Sequence, residues 1–98
     1  MELSTSFNFS IKPSEQKDFL FIPTSNRYYN IGTFGEMDTV MVLFEENNGE
    51  LEYRSGDDDS GKDYNALIRL RLIKGRRYVI RLRLYFKHHS GDSAIMVW

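Results

Sequence analysis

Ile68-Arg69-Leu70-Arg71-Leu72 and Ile80-Arg81-Leu82-Arg83-Leu84 decide the fold class. Apolar and charged residues alternate strictly in both segments. Successive side chains of an extended strand point to opposite faces, so each segment has one dry face and one wet face. An amphipathic helix would need apolar residues at three- and four-residue steps. No window of helical length keeps that spacing without a Gly, a Pro or a polar cluster breaking it. Little helix is expected.

Outward from these segments, turn residues punctuate the chain: Pro13-Ser14, Pro23-Thr24-Ser25-Asn26, Gly32 and Gly35, Asn47-Asn48-Gly49, Ser55-Gly56-Asp57, Gly61, Lys74-Gly75 and Ser90-Gly91-Asp92. About eight candidate strands lie between them, near 6–11, 18–23, 27–34, 39–45, 49–54, 64–73, 76–87 and 92–98. Asn48-Gly49 is the strongest hairpin signal, because both residues tolerate the positive φ of a tight primed turn. Strands with one dry face each must bury those faces against one another. The expected fold is therefore all-β, a two-sheet antiparallel sandwich of jelly-roll or immunoglobulin-like type.

The 98 residues suffice for one domain, and seven Phe, six Tyr and one Trp can supply its core. The absence of cysteine excludes disulfides, thiolate zinc sites and a thiol nucleophile. No apolar run approaches the length of a membrane span, and Met1 to Ser10 lacks the basic flank and apolar stretch of a signal peptide. No membrane partner is expected. A chain whose native start is Met1 is expected in the cytoplasm, whereas a module of a secreted protein would act outside the cell.

Several marks in order along the chain resemble the bacterial pre-peptidase C-terminal (PPC) domain family. They are Asp18-Phe19, the run Gly35-Glu36-Met37-Asp38-Thr39-Val40-Met41-Val42-Leu43-Phe44, Asp57-Asp58-Asp59, Asn65 and Gly75-Arg76-Arg77-Tyr78. The collagen-binding domains of clostridial collagenases are related to this family. The resemblance implies a jelly-roll sandwich of about eight strands, appended as an accessory module to a secreted peptidase or larger complex and often stabilised by calcium. The chain departs from the family's pattern at two places. Glu2 is the only acid before Glu15, where an acidic segment usually contributes calcium ligands, and the end reads Asp92-Ser93-Ala94-Ile95-Met96-Val97-Trp98 instead of Gly-x-Tyr-x-Leu.

The candidate metal ligands are Asp57, Asp58 and Asp59, joined through the resemblance by Asp38. Calcium takes six to eight oxygens, and adjacent carboxylates repel unless something neutralises them. The segment is not an EF-hand, since Gly61 and Lys62 stand where an oxygen ligand and the invariant Gly belong. A solvated acidic turn is the plainer reading of the same residues.

Charge is unevenly distributed. Residues 36–63 hold ten acids and two bases, and residues 69–87 hold eight bases and no acid. Arg69, Arg71, Arg81 and Arg83 are expected on the outer sides of neighbouring strands, where they could grip carboxylates, sulfates or phosphates, or be neutralised by the acidic segment. Tyr85, with Tyr28, Tyr29, Tyr53 and Tyr64, could extend this partner surface by stacking on sugars or lining a peptide groove. Nucleic acid is disfavoured by the pI of about 6.1 and the lack of any RNA-binding signature.

His88-His89-Ser90 with Asp92 does not constitute a triad, because neighbouring strand residues point apart and no nucleophile elbow is present. Glu45, Glu46, Glu50 and Glu52 read as solubility charges around a hairpin tip. No phosphate loop or dinucleotide fingerprint occurs. The expectation is a non-enzyme that positions a partner on a macromolecular substrate. That partner would be a catalytic domain in cis or another subunit, and the substrate a polysaccharide or collagen-like polymer. The alternative is an assembly subunit making protein–protein contacts only.

Overall fold

The structure, a computed structural model, describes residues 1–35, 38–57, 65–84 and 90–98. The strands are β1 (Phe7–Ile11), β2 (Gln16–Phe21), β3 (Arg27–Phe34), β4 (Thr39–Asn47), β5 (Glu50–Asp57), β6 (Leu67–Leu72), β7 (Arg77–Leu84) and β8 (Gly91–Val97). They form two four-stranded sheets, β1-β8-β3-β6 and β2-β7-β4-β5, with every named pair antiparallel. Only the β4–β5 connection stays within a sheet as a hairpin; every other connection crosses to the opposite sheet. That is the strand order of a jelly roll, and it resolves the choice that alternation left open, since immunoglobulin-like sandwiches keep more sequential strands side by side.

The hairpin forms where Asn48-Gly49 predicts it. Asn47 pairs with Glu50, which leaves a two-residue turn with φ of 53° at Asn48 and 81° at Gly49. Both angles lie in the left-handed region of a primed turn, whose twist matches that of the strands. A side chain at position 49 would be strained there although it meets no neighbour within 4 Å. Gly49→Ala is therefore expected to lower stability by about 1–2 kcal/mol, the cost of one alanine in that region, as read from urea denaturation.

The core lies between the sheets, with Ile31, Met41, Leu43, Ile80, Leu82, Ile95 and Val97 at most 1% exposed. Several residues of the family marks are architectural. Phe19 packs edge-on to Phe7 at 5.4 Å and against Phe9 at 5.5 Å. The buried Tyr78 accepts the Ile73 backbone N–H on its hydroxyl at 3.0 Å and so braces the β6–β7 turn, in which Gly75 has φ of 80°. Thr39 and Asn65 join Thr33 in a buried polar cluster. Thr33 Oγ1 accepts from Ala66 N at 2.8 Å, donates to Asn65 Oδ1 at 3.3 Å and lies 2.7 Å from Thr39 Oγ1. Asn65 Nδ2 donates to the Gly35 carbonyl at 2.9 Å. These bonds tie the β3–β4 connection to the start of β6. Among the described residues no buried side-chain nitrogen or oxygen lacks a partner, as a polar group inside a sandwich requires.

Candidate functional site

The four arginines picked from the sequence do face outward, but on opposite sides of the molecule. Arg69 and Arg71 lie on β6 and Arg81 and Arg83 on β7, and these strands belong to different sheets. The expectation of one basic face on neighbouring strands is therefore corrected: the crossing connection after Leu72 splits it in two.

On the β1-β8-β3-β6 sheet, register sets Arg71 across from Tyr28, Arg69 across from Asn30 and Leu67 across from Gly32. The Arg69 guanidinium stacks 4.6 Å from the centre of the Tyr28 ring, which is 52% exposed. Trp98 exchanges backbone hydrogen bonds with Asn30 at 2.8 and 2.9 Å and lays its indole over Gly32, where a Cβ would stand 3.0 Å from its ring. Phe34 lies 5.8 Å from Trp98 between ring centres. Tyr28, Trp98 and Phe34 thus form an aromatic file along β3. Beside it lies a depression of about 560 Å³, whose lining includes Asn8, Ser10, Phe34, Asp92 and Ala94. Asp92 accepts a short hydrogen bond from Ser10 Oγ there. Phe34 and Trp98 were not singled out from sequence. The signal lay in β3, where Tyr28, Asn30, Gly32 and Phe34 alternate with the inward Tyr29, Ile31 and Thr33.

The opposite face is of another kind. Arg81 donates to both carboxylate oxygens of Asp18, at 2.9 and 3.0 Å, and its guanidinium sits 5.1 Å from the Phe44 ring. The Asp18 hydrogen bond raises the Arg81 pKa above its ordinary value. Arg81 is therefore engaged within the fold. Arg83 lies across from Gln16 and Val40 and borders a smaller depression of about 280 Å³ with Lys12, Ser14 and Glu15. There the Lys12 backbone N–H, and then Lys17, hold the Glu15 carboxylate below its ordinary pKa.

At the hairpin end the acidic segment does meet basic residues. Glu45 is only 7% exposed and lies 3.4 Å from both Arg54 and Arg76, while Glu46 meets Arg77 at 3.4 Å and Glu52 meets Arg54 at 2.9 Å. Burial alone would lower the Arg54 pKa, but Glu45 and Glu52 outweigh it and raise the value. The reading of all four glutamates as solubility charges fails for Glu45. The bulge in the β4–β5 pairing, where Leu43 faces Ser55 but Phe44 faces Tyr53, leaves Arg54 as the unpaired extra residue.

Of the candidate metal ligands, Asp58 and Asp59 lie outside the described residues, as do Tyr64, Tyr85, His88 and His89. Asp57 Oδ2 accepts the Leu67 N–H at 2.9 Å, and Asp38 immediately precedes β4. No group of three or more metal-binding side chains occurs among the described residues. Asp38 and Asp57 therefore do not by themselves supply the six to eight oxygens that calcium takes.

No family model matches the chain. No curated protein matches it by sequence. Solved structures do match in fold. The pre-peptidase C-terminal domain of a collagenase from Bacillus anthracis superposes with a TM-score of 0.78 at 17% identity, over 98% of this chain and 90% of that one. PliG, a periplasmic inhibitor of g-type lysozyme from Aeromonas hydrophila, gives 0.67 at 10% identity, over 96% and 85%. A mitogen derived from Yersinia pseudotuberculosis gives 0.67 at 6% identity, over 93% and 80%.

Proposed function

We propose that this protein, which has the jelly-roll fold of a collagenase's pre-peptidase C-terminal domain, is a non-catalytic accessory module. In this reading it holds a catalytic domain in cis, or another subunit, on a polymeric substrate. The observation that carries the reading is the outer face of the β1-β8-β3-β6 sheet. Arg69 stacked on Tyr28 and Trp98 beside Phe34 give ring faces for stacking, and Asn8, Asn30 and Arg71 supply hydrogen-bonding groups around them. A flat file of this kind suits an extended chain of sugar rings or a collagen-like polymer. Nucleic acid fits less well, because binding it takes a continuous basic groove and the arginines are divided between two faces.

Co-sedimentation with insoluble collagen and with insoluble polysaccharides tests the proposal. Retention on one of these is expected, and Tyr28→Ala and Arg69→Glu, both exposed and so compatible with folding, should each weaken it by about tenfold or more, the scale of an interface hot spot. Retention on none of the polymers, or retention that both variants leave intact, would overturn this assignment. A second reading, an assembly subunit, is favoured by the exposed apolar residues on the outer face of the other sheet, Leu20, Ile22, Leu51 and Tyr53.

A further inference from the structure

The β2-β7-β4-β5 sheet carries apolar residues on its outer side as well as its inner side, beside the outward Asp18–Arg81 and Arg77–Glu46 pairs. β4 is the cause: Val40, Val42 and Phe44 point outward while Thr39, Met41 and Leu43 point into the core. Cross-strand register then assembles a row running over all four strands, Leu20 across from Val79, Val79 across from Phe44, and Phe44 across from Tyr53. Tyr53 is 64% exposed, and its hydroxyl would lie 3.3 Å from a Cβ at Gly56, so the ring leans along the sheet over that glycine. The next row begins with Ile22, the residue after β2, and continues through Arg77, Glu46 and Leu51, with Arg77 across from Glu46 and Glu46 across from Leu51. Ile22 and Leu51 are also exposed, at 43% and 39%.

Read from β2 to β5, each row is complementary to its own reverse. The first is apolar throughout; the second runs apolar, positive, negative, apolar. We infer that this face pairs with the same face of a second copy of the chain, about a two-fold axis parallel to the strands and passing between β7 and β4. Such an axis lays β7 of one copy over β4 of the other and β2 over β5. Val79 then meets the other copy's Phe44, Leu20 meets its Tyr53, and Ile22 meets its Leu51. Arg77 meets Glu46 of the other copy twice over, extending the 3.4 Å pair already present within each chain. An axis at right angles to this one would instead set Arg77 against Arg81 of the other copy, so charge selects the orientation as well as the partner. Overall dimensions of 35 × 26 × 20 Å give broad faces large enough for a standard interface of roughly 800 Å² per partner. The proposal is independent of polymer binding, which uses the opposite sheet.

The test is sedimentation velocity over a range of concentrations on the full chain, with two charge variants whose melting curves are first shown to resemble that of the parent. The parent is expected to dimerise. Arg77→Glu places glutamate against glutamate in the homodimer, and Glu46→Arg places arginine against arginine, so each alone should weaken association at least tenfold. Mixed in equal amounts, the two variants present opposite charges to each other at both contacts and should form heterodimers close to the parent's affinity. A parent that stays monomeric at several hundred micromolar would overturn the proposal. So would dimerisation that either single variant leaves unchanged, or a mixture of folded variants that associates no better than its components.

Discussion

Leu43→Ala is expected to destabilise the protein by about 2–5 kcal/mol, the range for truncating a fully buried leucine. Leu43 has no exposed surface and sits on β4 directly across from Ile80 on β7, which is equally buried. These two central strands of one sheet face the core that the other sheet closes. The neighbours are held by strand pairing on both sides of β4 and cannot collapse into the space left behind, which places the cost toward the upper part of the range. A domain of this size is stable by roughly 5–15 kcal/mol, so the loss is a large share of the total and should lower Tm by about 10 °C or more. Leu43→Met, which conserves volume, should cost less than about 1.5 kcal/mol, and Leu51→Ala on the outer face about 0.5 kcal/mol or less. Equilibrium denaturation of the three variants checks the order. Equal effects at positions 43 and 51 would contradict the placement of Leu43 in the core.

The second large effect is expected where propensity and hydrophobicity argue the other way. Valine matches threonine in shape, favours strands and is the more apolar, yet Thr33→Val should cost about 2–4 kcal/mol. The Thr33 hydroxyl is saturated: its one proton goes to Asn65 Oδ1, so Thr39 must be the donor in the 2.7 Å contact, and Ala66 N–H supplies the second acceptor bond. Removing it takes one hydrogen-bond partner from the buried Thr39 hydroxyl, the Ala66 N–H and the Asn65 side chain, at about 1–3 kcal/mol for each group left unsatisfied. Thr33→Ser keeps the hydroxyl and loses only a methyl, and should cost about 1 kcal/mol. Denaturation curves in which valine proves as mild as serine would show that the cluster does not hold the β3–β4 connection to β6.

Much of this scaffold was legible in the chain. Alternation in Ile68–Leu72 and Ile80–Leu84 put the leucines and isoleucines inward and the arginines outward, as observed, because the strand period of two is a local property of the backbone. Asn48-Gly49 specified its hairpin for an equally local reason, the positive φ that both residues accept. The expectation of one wet face on every strand fails for β4: Thr39-Val40-Met41-Val42-Leu43-Phe44 does not alternate, and Val40, Val42 and Phe44 are half-buried on its outer side.

What local pattern could not carry was which strands become neighbours. The two Arg-rich segments look alike and lie close in sequence, yet the β6–β7 connection crosses the sandwich and sends Arg69 and Arg71 to one face and Arg81 and Arg83 to the other. The same distant pairings bring Trp98 beside Phe34, Asp18 to Arg81, and Glu45 between Arg54 and Arg76. Each of those contacts joins residues from different strands or turns, and the sequence holds no local signal for it. The sequence by itself determined strand content, the direction of the alternating side chains relative to the core, and local turns such as the β4–β5 hairpin. Only the tertiary structure decided what each outward side chain meets. Burying the inner faces of two sheets fixes which side faces out, whereas the company that side keeps depends on strand order, a property of the whole chain.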